Sequence, residues 1–471
     1  MNFQKSDILM PGLVAALGLA LLIAWLLSGS PVQLQARHPG MDQSPQEDSP
    51  ATVELQAPEA GAPVAGEGKP SELPGGWPGF RGPRGDGICR DGVKLARSWP
   101  EDGPPILWSV DLADGYASPV VSQGRVYVLD YDDQAKADVI RCLSLDDGRE
   151  IWRNSYPVEV AWNHGFTRTM PVVAGDTIIT LGPQCHVACW DAQTGECRWL
   201  LDLVLEEGAK VPRWYAGQCP LLDGNRLILA PGGQALVMAV DPKTGEAVWR
   251  SPNPRGWEMT HVSVTPMDVD GRRTYVYCGS GGVAGIAADD GSLLWDTPEW
   301  PVQFAHAPSP LVLPGNRIFL CSGYGSQTGS LFLQVRNEGN RFAVDIEKRL
   351  SPRQFNSEQQ TPILYQEHIF GIRKRGGGPL VCLDLQGEEV WSSGRERFGH
   401  GPYMIADELI FAMSDHGHLV MAEASTSEFR PLGSFHVFHE GHDAWGPMVP
   451  VSGRLILREM TRMVCIDIAA D

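Results

Sequence analysis

The stretch Asp241-Pro-Lys-Thr-Gly245-Glu-Ala-Val-Trp249 has a near copy at Asp191-Ala-Gln-Thr-Gly195-Glu-Cys-Arg-Trp199. Versions with a tighter turn stand at Asp146-Asp147-Gly148-Arg-Glu-Ile-Trp152, Asp289-Asp290-Gly291-Ser-Leu-Leu-Trp295 and Asp384-Leu-Gln-Gly387-Glu-Glu-Val-Trp391. Each has alternating apolar residues ahead of the Asp and a Gly four positions before the Trp. The Asp side chain accepts bonds from turn amides, and the Gly supplies positive φ, so each copy reads as a hairpin. A large flat ring at a fixed place in every unit suits packing between adjacent sheets.

A second half-motif precedes the copies, as in Pro119-Val-Val-Ser-Gln-Gly124-Arg-Val-Tyr-Val128, Pro171-Val-Val-Ala-Gly175-Asp-Thr-Ile-Ile-Thr180 and Pro220-Leu-Leu-Asp-Gly224-Asn-Arg-Leu-Ile-Leu229. It reads strand, Gly turn, strand. Four strands per repeat make one propeller blade. The tryptophans at 152, 199, 249, 295 and 391 are spaced by 47, 50, 46 and 96 residues. The last interval is a double one and hides a blade without the motif, with strands at Pro310-Leu-Val-Leu, Arg317-Ile-Phe-Leu and Ser330-Leu-Phe-Leu. Another such blade lies around Leu409 to Glu423. The copy at Asp467 stops before its Trp strand, and Ile106-Leu-Trp108-Ser-Val-Asp-Leu supplies the missing strand from the other end. Joining both termini in one blade removes open sheet edges. The expectation is an all-β, eight-bladed β-propeller over 104–471, closed by this N-terminal strand.

At these residues the chain resembles the PQQ-like repeat family: Ala239, Asp241, Gly245 and Trp249 match its tryptophan-docking pattern. The segment Trp77-Pro-Gly-Phe-Arg81-Gly-Pro-Arg-Gly-Asp-Gly87, with Ser98-Trp-Pro and Pro104-Pro-Ile-Leu-Trp108, is similar to bacterial envelope proteins of the BamB-like kind. The family has an enzymatic branch, the quinoprotein alcohol and glucose dehydrogenases, and a non-enzymatic scaffold branch. The first implies a quinone with Ca²⁺, a catalytic Asp and, in the alcohol enzymes, a disulfide between neighbouring cysteines. This chain has no adjacent Cys pair and no loop gathering six to eight oxygens for calcium. The resemblance therefore implies a scaffold that needs no cofactor, with envelope proteins as partners, an outer-membrane assembly complex among them. PQQ and a dehydrogenase are the lesser alternative. No catalytic or metal residue is assigned.

Outside the propeller, Ile8 to Leu27 is an uncharged, largely apolar run of bilayer length after Lys5 and Asp7. Residues 1–30 read as a signal anchor or a cleaved signal peptide, and either places the rest outside the cytoplasm, in the periplasm or a like space. Residues 31–76, rich in Pro, Ala, Gly and Glu, read as a disordered tether; 77–103 read as a segment packed on the propeller. The formal charge of −19 argues against nucleic acid as a partner.

Of the ten cysteines, Cys189, Cys382 and Cys465 precede a repeat Asp by two residues and read as small buried residues; Cys189 and Cys197 flank one hairpin and are candidates to pair. Histidines and aromatics gather just before the first strands of blades, where inner strands begin beside a central channel. Trp162, His164, Tyr215, His261, His306, His400, His442 and Trp445 are the candidate binding residues of a channel mouth. Tyr116, Phe304, Phe355 and Phe398 lie in the same region, and Arg168, Arg213 and Arg353 offer anion contacts. Such a mouth suits a peptide, a sugar or another small ligand, which makes a small-molecule or carbohydrate binder the alternative to a scaffold. His416 and His418 read as a turn or strand face.

Overall fold

The computed structural model describes residues 17–24, 57–301, 305–324, 329–339 and 341–470. Of the apolar run from Ile8 to Leu27, only 17–24 is described, and it is helical; the expected membrane span otherwise lies outside the described residues, as does 31–56 of the expected tether. Among the described residues no helix is long and apolar enough to cross a membrane.

Eight antiparallel sheets follow one another from Val120 to Asp467. Blade 1 runs through Val120–Ser122, Arg125–Asp132, Ala137–Ser144 and Glu150–Pro157. The inner strands of blades 2 to 8 are Val172–Ala174, Leu221–Asp223, Thr265–Val269, Leu311–Leu313, Ile363–Tyr365, Tyr403–Ala406 and Val449–Val451. The fourth strand of blade 8 is Ile106–Asp111, paired antiparallel with Arg462–Asp467. The closure read from the sequence is thus the one formed, and both blades without the motif are complete. Middle strands are buried on both faces, as in Ala235–Val240, whereas the outer strand Ala247–Pro252 alternates.

The spacing of the repeat has a direct packing cause. Each repeat Gly has positive φ, and all but Gly387 lie on the Trp of the blade before: a Cβ on Gly195 would come 2.5 Å from the Trp152 ring, and one on Gly245 2.9 Å from the Trp199 ring. The same Trp indoles donate to a carbonyl three residues before that Gly, Trp152 to Ala192 at 3.3 Å and Trp199 to Pro242 at 3.1 Å. Trp108 does this across the closure, to Leu145 at 2.9 Å. One motif therefore both receives a ring from behind and sends one ahead. In blade 5, which lacks it, Phe332 and Leu350 fill the space under Gly387.

The expected tether is corrected over 57–76. Val64–Ala65 pairs with Trp152 and Arg153 as a fifth strand outside blade 1. Gly61 and Gly66 donate to the carbonyls of Ser155 and Ile151, each at 2.8 Å, and Ser71 to that of Gly124 at 3.0 Å. The chain then reaches the inner edge, where Gly76–Trp77 pairs with Val121 and Ser122. These are backbone bonds, indifferent to the polar composition that suggested disorder. From Trp77 the strap crosses the channel: Val173 of blade 2 donates to Pro78, Arg81 reaches the carbonyls of Thr361 and Pro362 in front of blade 6, and Ile88–Cys89 runs parallel to Ile405 and Ala406 of blade 7. Leu95 bridges to Ala469. A second correction concerns Cys189 and Cys197. Cys189 faces Trp199 and Cys197 faces Trp190, so the two thiols sit on opposite faces of the hairpin, and all ten cysteines are free.

Candidate functional site

The strap divides the channel into two unlike ends. At the base, a cavity of about 670 Å³ lies between Pro78–Asp86 and the inner strands of blades 2 to 6, its walls mostly apolar. The opposite mouth is formed by the connections that lead into inner strands and by the turns between second and third strands, which an up-and-down meander places on one face. Every connection carries a polar or aromatic side chain within three to six residues of its strand: Tyr116, Arg168, Tyr215, His261, His306, Glu358, His400 and Trp445 for blades 1 to 8, all but His306 reaching the mouth. Tyr324, Lys374 and Asp415 come from the second turns of blades 5, 6 and 7.

Seven of these side chains form a continuous belt. The Arg168 guanidinium carbon lies 5.8 Å from the Tyr215 ring centroid and 5.9 Å from that of Tyr116. Tyr116 stacks on Trp445 at 5.1 Å, Trp445 meets His400 at 4.9 Å, and His400 stacks on Tyr324 at 6.4 Å. The Lys374 ammonium is 5.8 Å from the Tyr324 ring. Beneath His400 and Trp445 a cavity of about 90 Å³ continues toward Phe80 and Arg81 of the strap.

The local folding that sets this belt is strained in one place and stiffened in another. Tyr215 has a left-handed backbone, φ 66°, unusual for a bulky residue, held by its N–H on Pro212 and its hydroxyl on Ala161. Arg458, buried in blade 8, donates to the carbonyls of Ala113 and Ala117 and so fixes the loop that carries Tyr116.

Charges at the mouth are unevenly matched. His400 donates to Glu358 at 2.6 Å, and its other ring nitrogen is 3.7 Å from Asp415. Burial opposes its charge, but hydrogen bonds to Asp415 and Glu358 raise its pKa to about 9. Glu358 also pairs with Lys374, and Asp415 accepts from the Trp445 indole at 2.7 Å. Burial works against both carboxylates, yet His400 bonded to each, with Lys374 also bonded to Glu358, holds them below the usual range. His261 and His306 are the opposite case. Burial lowers each to about 4, so both are neutral at pH 7; each ring bonds a carbonyl, of Tyr215 at 3.0 Å and Cys321 at 3.1 Å.

Of the residues singled out in the sequence, Tyr215, His261, His400 and Trp445 come together at the mouth. His306 is 1% exposed and packs behind it. Trp162, 58% exposed, and His164 stand outward on the rim, where the Trp162 indole donates to Asp114. His442 is also outward, 3.4 Å from Asp443. Phe355 and Phe398 are core residues, and Phe304 lies outside the described residues. Tyr324, Glu358, Lys374 and Asp415 were not singled out as site residues; three of them follow a second strand by two or three residues, and that position on the meander is the signal that marks them.

Residues 135–386, just over half of the chain, match the family described as outer membrane protein assembly factor BamB, a PQQ-like repeat family. The chain belongs to this family. No curated protein matches the sequence. Among solved structures, BamB from Moraxella catarrhalis is similar at 14% identity and a TM-score of 0.52, over 77% of this chain and 99% of that one. The computationally designed Ika8 protein follows at 11% and 0.51, over 77% and 100%. A europium-containing methanol dehydrogenase gives 13% and 0.45, over 82% and 89%. At these identities the likeness of the first two is one of fold.

The quinone that the PQQ-like repeat brings to mind does not suit this mouth. A calcium-supported quinone needs free carboxylates beside it. Here the charges of Glu358 and Asp415 are already balanced by Lys374 and His400, which leaves no net negative charge for a dication, and no group of His, Cys, Asp or Glu among the described residues is arranged to hold a metal.

Proposed function

We propose that this protein is a non-catalytic scaffold of the bacterial envelope, tethered through its N-terminal segment in the periplasm and docking partner proteins on the rim of the propeller. Membership of the BamB family supports the envelope and a partner within an outer-membrane assembly complex. The observation that carries the reading is strand addition at the rim. Blade 1 already accepts Val64–Ala65 on its outer strand, whereas the outer strands of blades 3 and 6 present Val248 and Val390 to solvent, 52% and 44% exposed. An extended segment of a partner adds to such an edge through main-chain bonds, with apolar side chains giving selectivity. The test is crosslinking in native membranes with a photoreactive group at position 248 or 390. A reproducible envelope protein attached there supports the scaffold; crosslinks no different from those at a base position, under conditions that retain known complexes, refute it.

A second reading has its own observation. The aromatic and charged belt from Tyr215 to Lys374 is an arrangement suited to a small ligand rather than to a flat protein face. His400→Ala removes the centre of the belt and leaves the rim intact. Loss of small-ligand binding with partner binding retained favours this reading.

A further inference from the structure

Arg168 has an environment unlike that of the other mouth cations. Lys374 and His400 are matched by Glu358 and Asp415. Asp114 and Asp443, also on this rim, are engaged by Trp162 and His442. Arg168 has no carboxylate partner among the described residues. Its guanidinium lies between two tyrosine rings and donates only to the backbone carbonyls of Asn163, His164 and Gly165. Burial lowers its pKa to about 10, still charged at neutral pH. A desolvated, unmatched cation facing a channel is a seat for an anion.

A second observation is independent of the charge. The Tyr116 hydroxyl oxygen is buried beside Asp443, and burial together with that carboxylate keeps it protonated. The Tyr324 hydroxyl accepts from Gln359 at 2.8 Å, which leaves its own hydrogen to give, and its ring lies within the field of Arg168. The Tyr324 hydroxyl is thus a phenol donor that accompanies the cation. Beside them, Glu358, Lys374, His400 and Asp415 offer acceptors and donors together, as neutral hydroxyls require, and Trp445 and Tyr215 offer flat faces for a ring with axial C–H groups.

We propose that the mouth binds an acidic sugar of the uronic acid class, its carboxylate on Arg168 with the Tyr324 hydroxyl as second donor. The proposal rests on the small-ligand reading of the mouth and narrows it. Charge-assisted bonds to the guanidinium fix the carboxylate, and the mixed polar cluster takes the hydroxyls.

The experiment is calorimetric titration of the full chain with glucuronate, with glucose as the neutral counterpart, and with a short peptide carrying a free C-terminal carboxylate. Glucuronate is expected to bind at least about tenfold more tightly than glucose, and Arg168→Gln to erase that difference. Because Arg168 also holds its loop, Tyr324→Phe provides a milder variant, expected to weaken glucuronate about threefold to tenfold with glucose unchanged. Equal binding of glucose and glucuronate overturns the anion seat while leaving the mouth a ligand site. Unchanged glucuronate affinity in either variant also overturns it. Binding of the peptide alone overturns the sugar class. No binding of any of the three overturns this inference and the small-ligand reading together, without touching the rim.

Discussion

Replacing Gly195 by Ala places a methyl group 2.5 Å from the Trp152 ring at a backbone φ of 78°. Two costs add. The left-handed backbone costs about 1–2 kcal/mol for a residue with Cβ. Forcing the ring aside costs about 1–3 kcal/mol more, as for other overpacked sites. Trp152→Ala has a different balance: it loses a buried ring, about 3–5 kcal/mol, of which the indole bond to Ala192 is about 1 kcal/mol. In the Trp152→Ala background the ring is gone, so Gly195→Ala retains only its backbone cost. The double variant should then be about 1–3 kcal/mol more stable than the sum of the singles implies. Urea unfolding of the four proteins, followed by fluorescence and circular dichroism, measures the coupling. Additivity within about 0.5 kcal/mol would refute the account of the repeat as a Gly platform for the preceding Trp.

Asp138 is buried, accepts from Tyr156 at 2.6 Å, and is raised by burial to about 7. Its ionisation is disfavoured in the fold, so a penalty grows from about pH 4 to pH 7 and is constant above. Asp138→Asn should stabilise at pH 8 by on the order of 1 kcal/mol and have no effect near pH 4, read from urea midpoints. His400 has the reverse sign: its folded pKa of about 9 exceeds the ordinary 6.5, so its stabilisation is full below 6.5 and is lost as pH rises through 9. His400→Gln should therefore lie closer to the parent protein at pH 10 than at pH 6, and an NMR titration of this ring near 6.5 would contradict the pairing with Glu358 and Asp415. Arg81→Ala removes the strap's bonds to Thr361 and Pro362, and hydrogen exchange at Trp77 and Ile88 should quicken with the outer strands of blades 3 and 6 unchanged.

What was legible in the sequence is what repeats. Gly195 and Gly245 announce themselves because each must sit under a neighbour's tryptophan, and a Cβ there would press on a packed side chain in each of the five copies. The strand at Ile106 was legible because the copy at Asp467 lacks a partner for it. The ordered segment over 57–76 was not, since bonds such as Gly66 to Ile151 use only backbone atoms and leave no trace in composition. Nor was the isolation of Arg168, which depends on which carboxylates its neighbours have already engaged. Histidines before inner strands were a sound guide to the face but not to depth: His306 and His400 have equivalent places in the chain, yet one is core and the other bridges two carboxylates.

The two blades that abandon the docking motif, 5 and 7, are also those that bring Tyr324, His400 and Asp415 to the mouth, with Glu358 and Lys374 on blade 6 between them. Trp152, Trp199 and Trp249 each lock onto the next blade by a ring and a carbonyl bond, whereas blade 5 sends no such ring and Phe332 and Leu350 stand under Gly387 of blade 6 instead. Departure from a local rule with a polar cluster at the same place is where function is expected to reside. The polar cluster lies on this side and the unmatched Arg168 faces it from blade 2, so a ligand spanning the mouth ties regular blades to irregular ones. Binding should therefore raise the protection of blades 5 to 7 more than that of blades 1 to 4, a pattern that rim-bound partners on blade 3 would not produce.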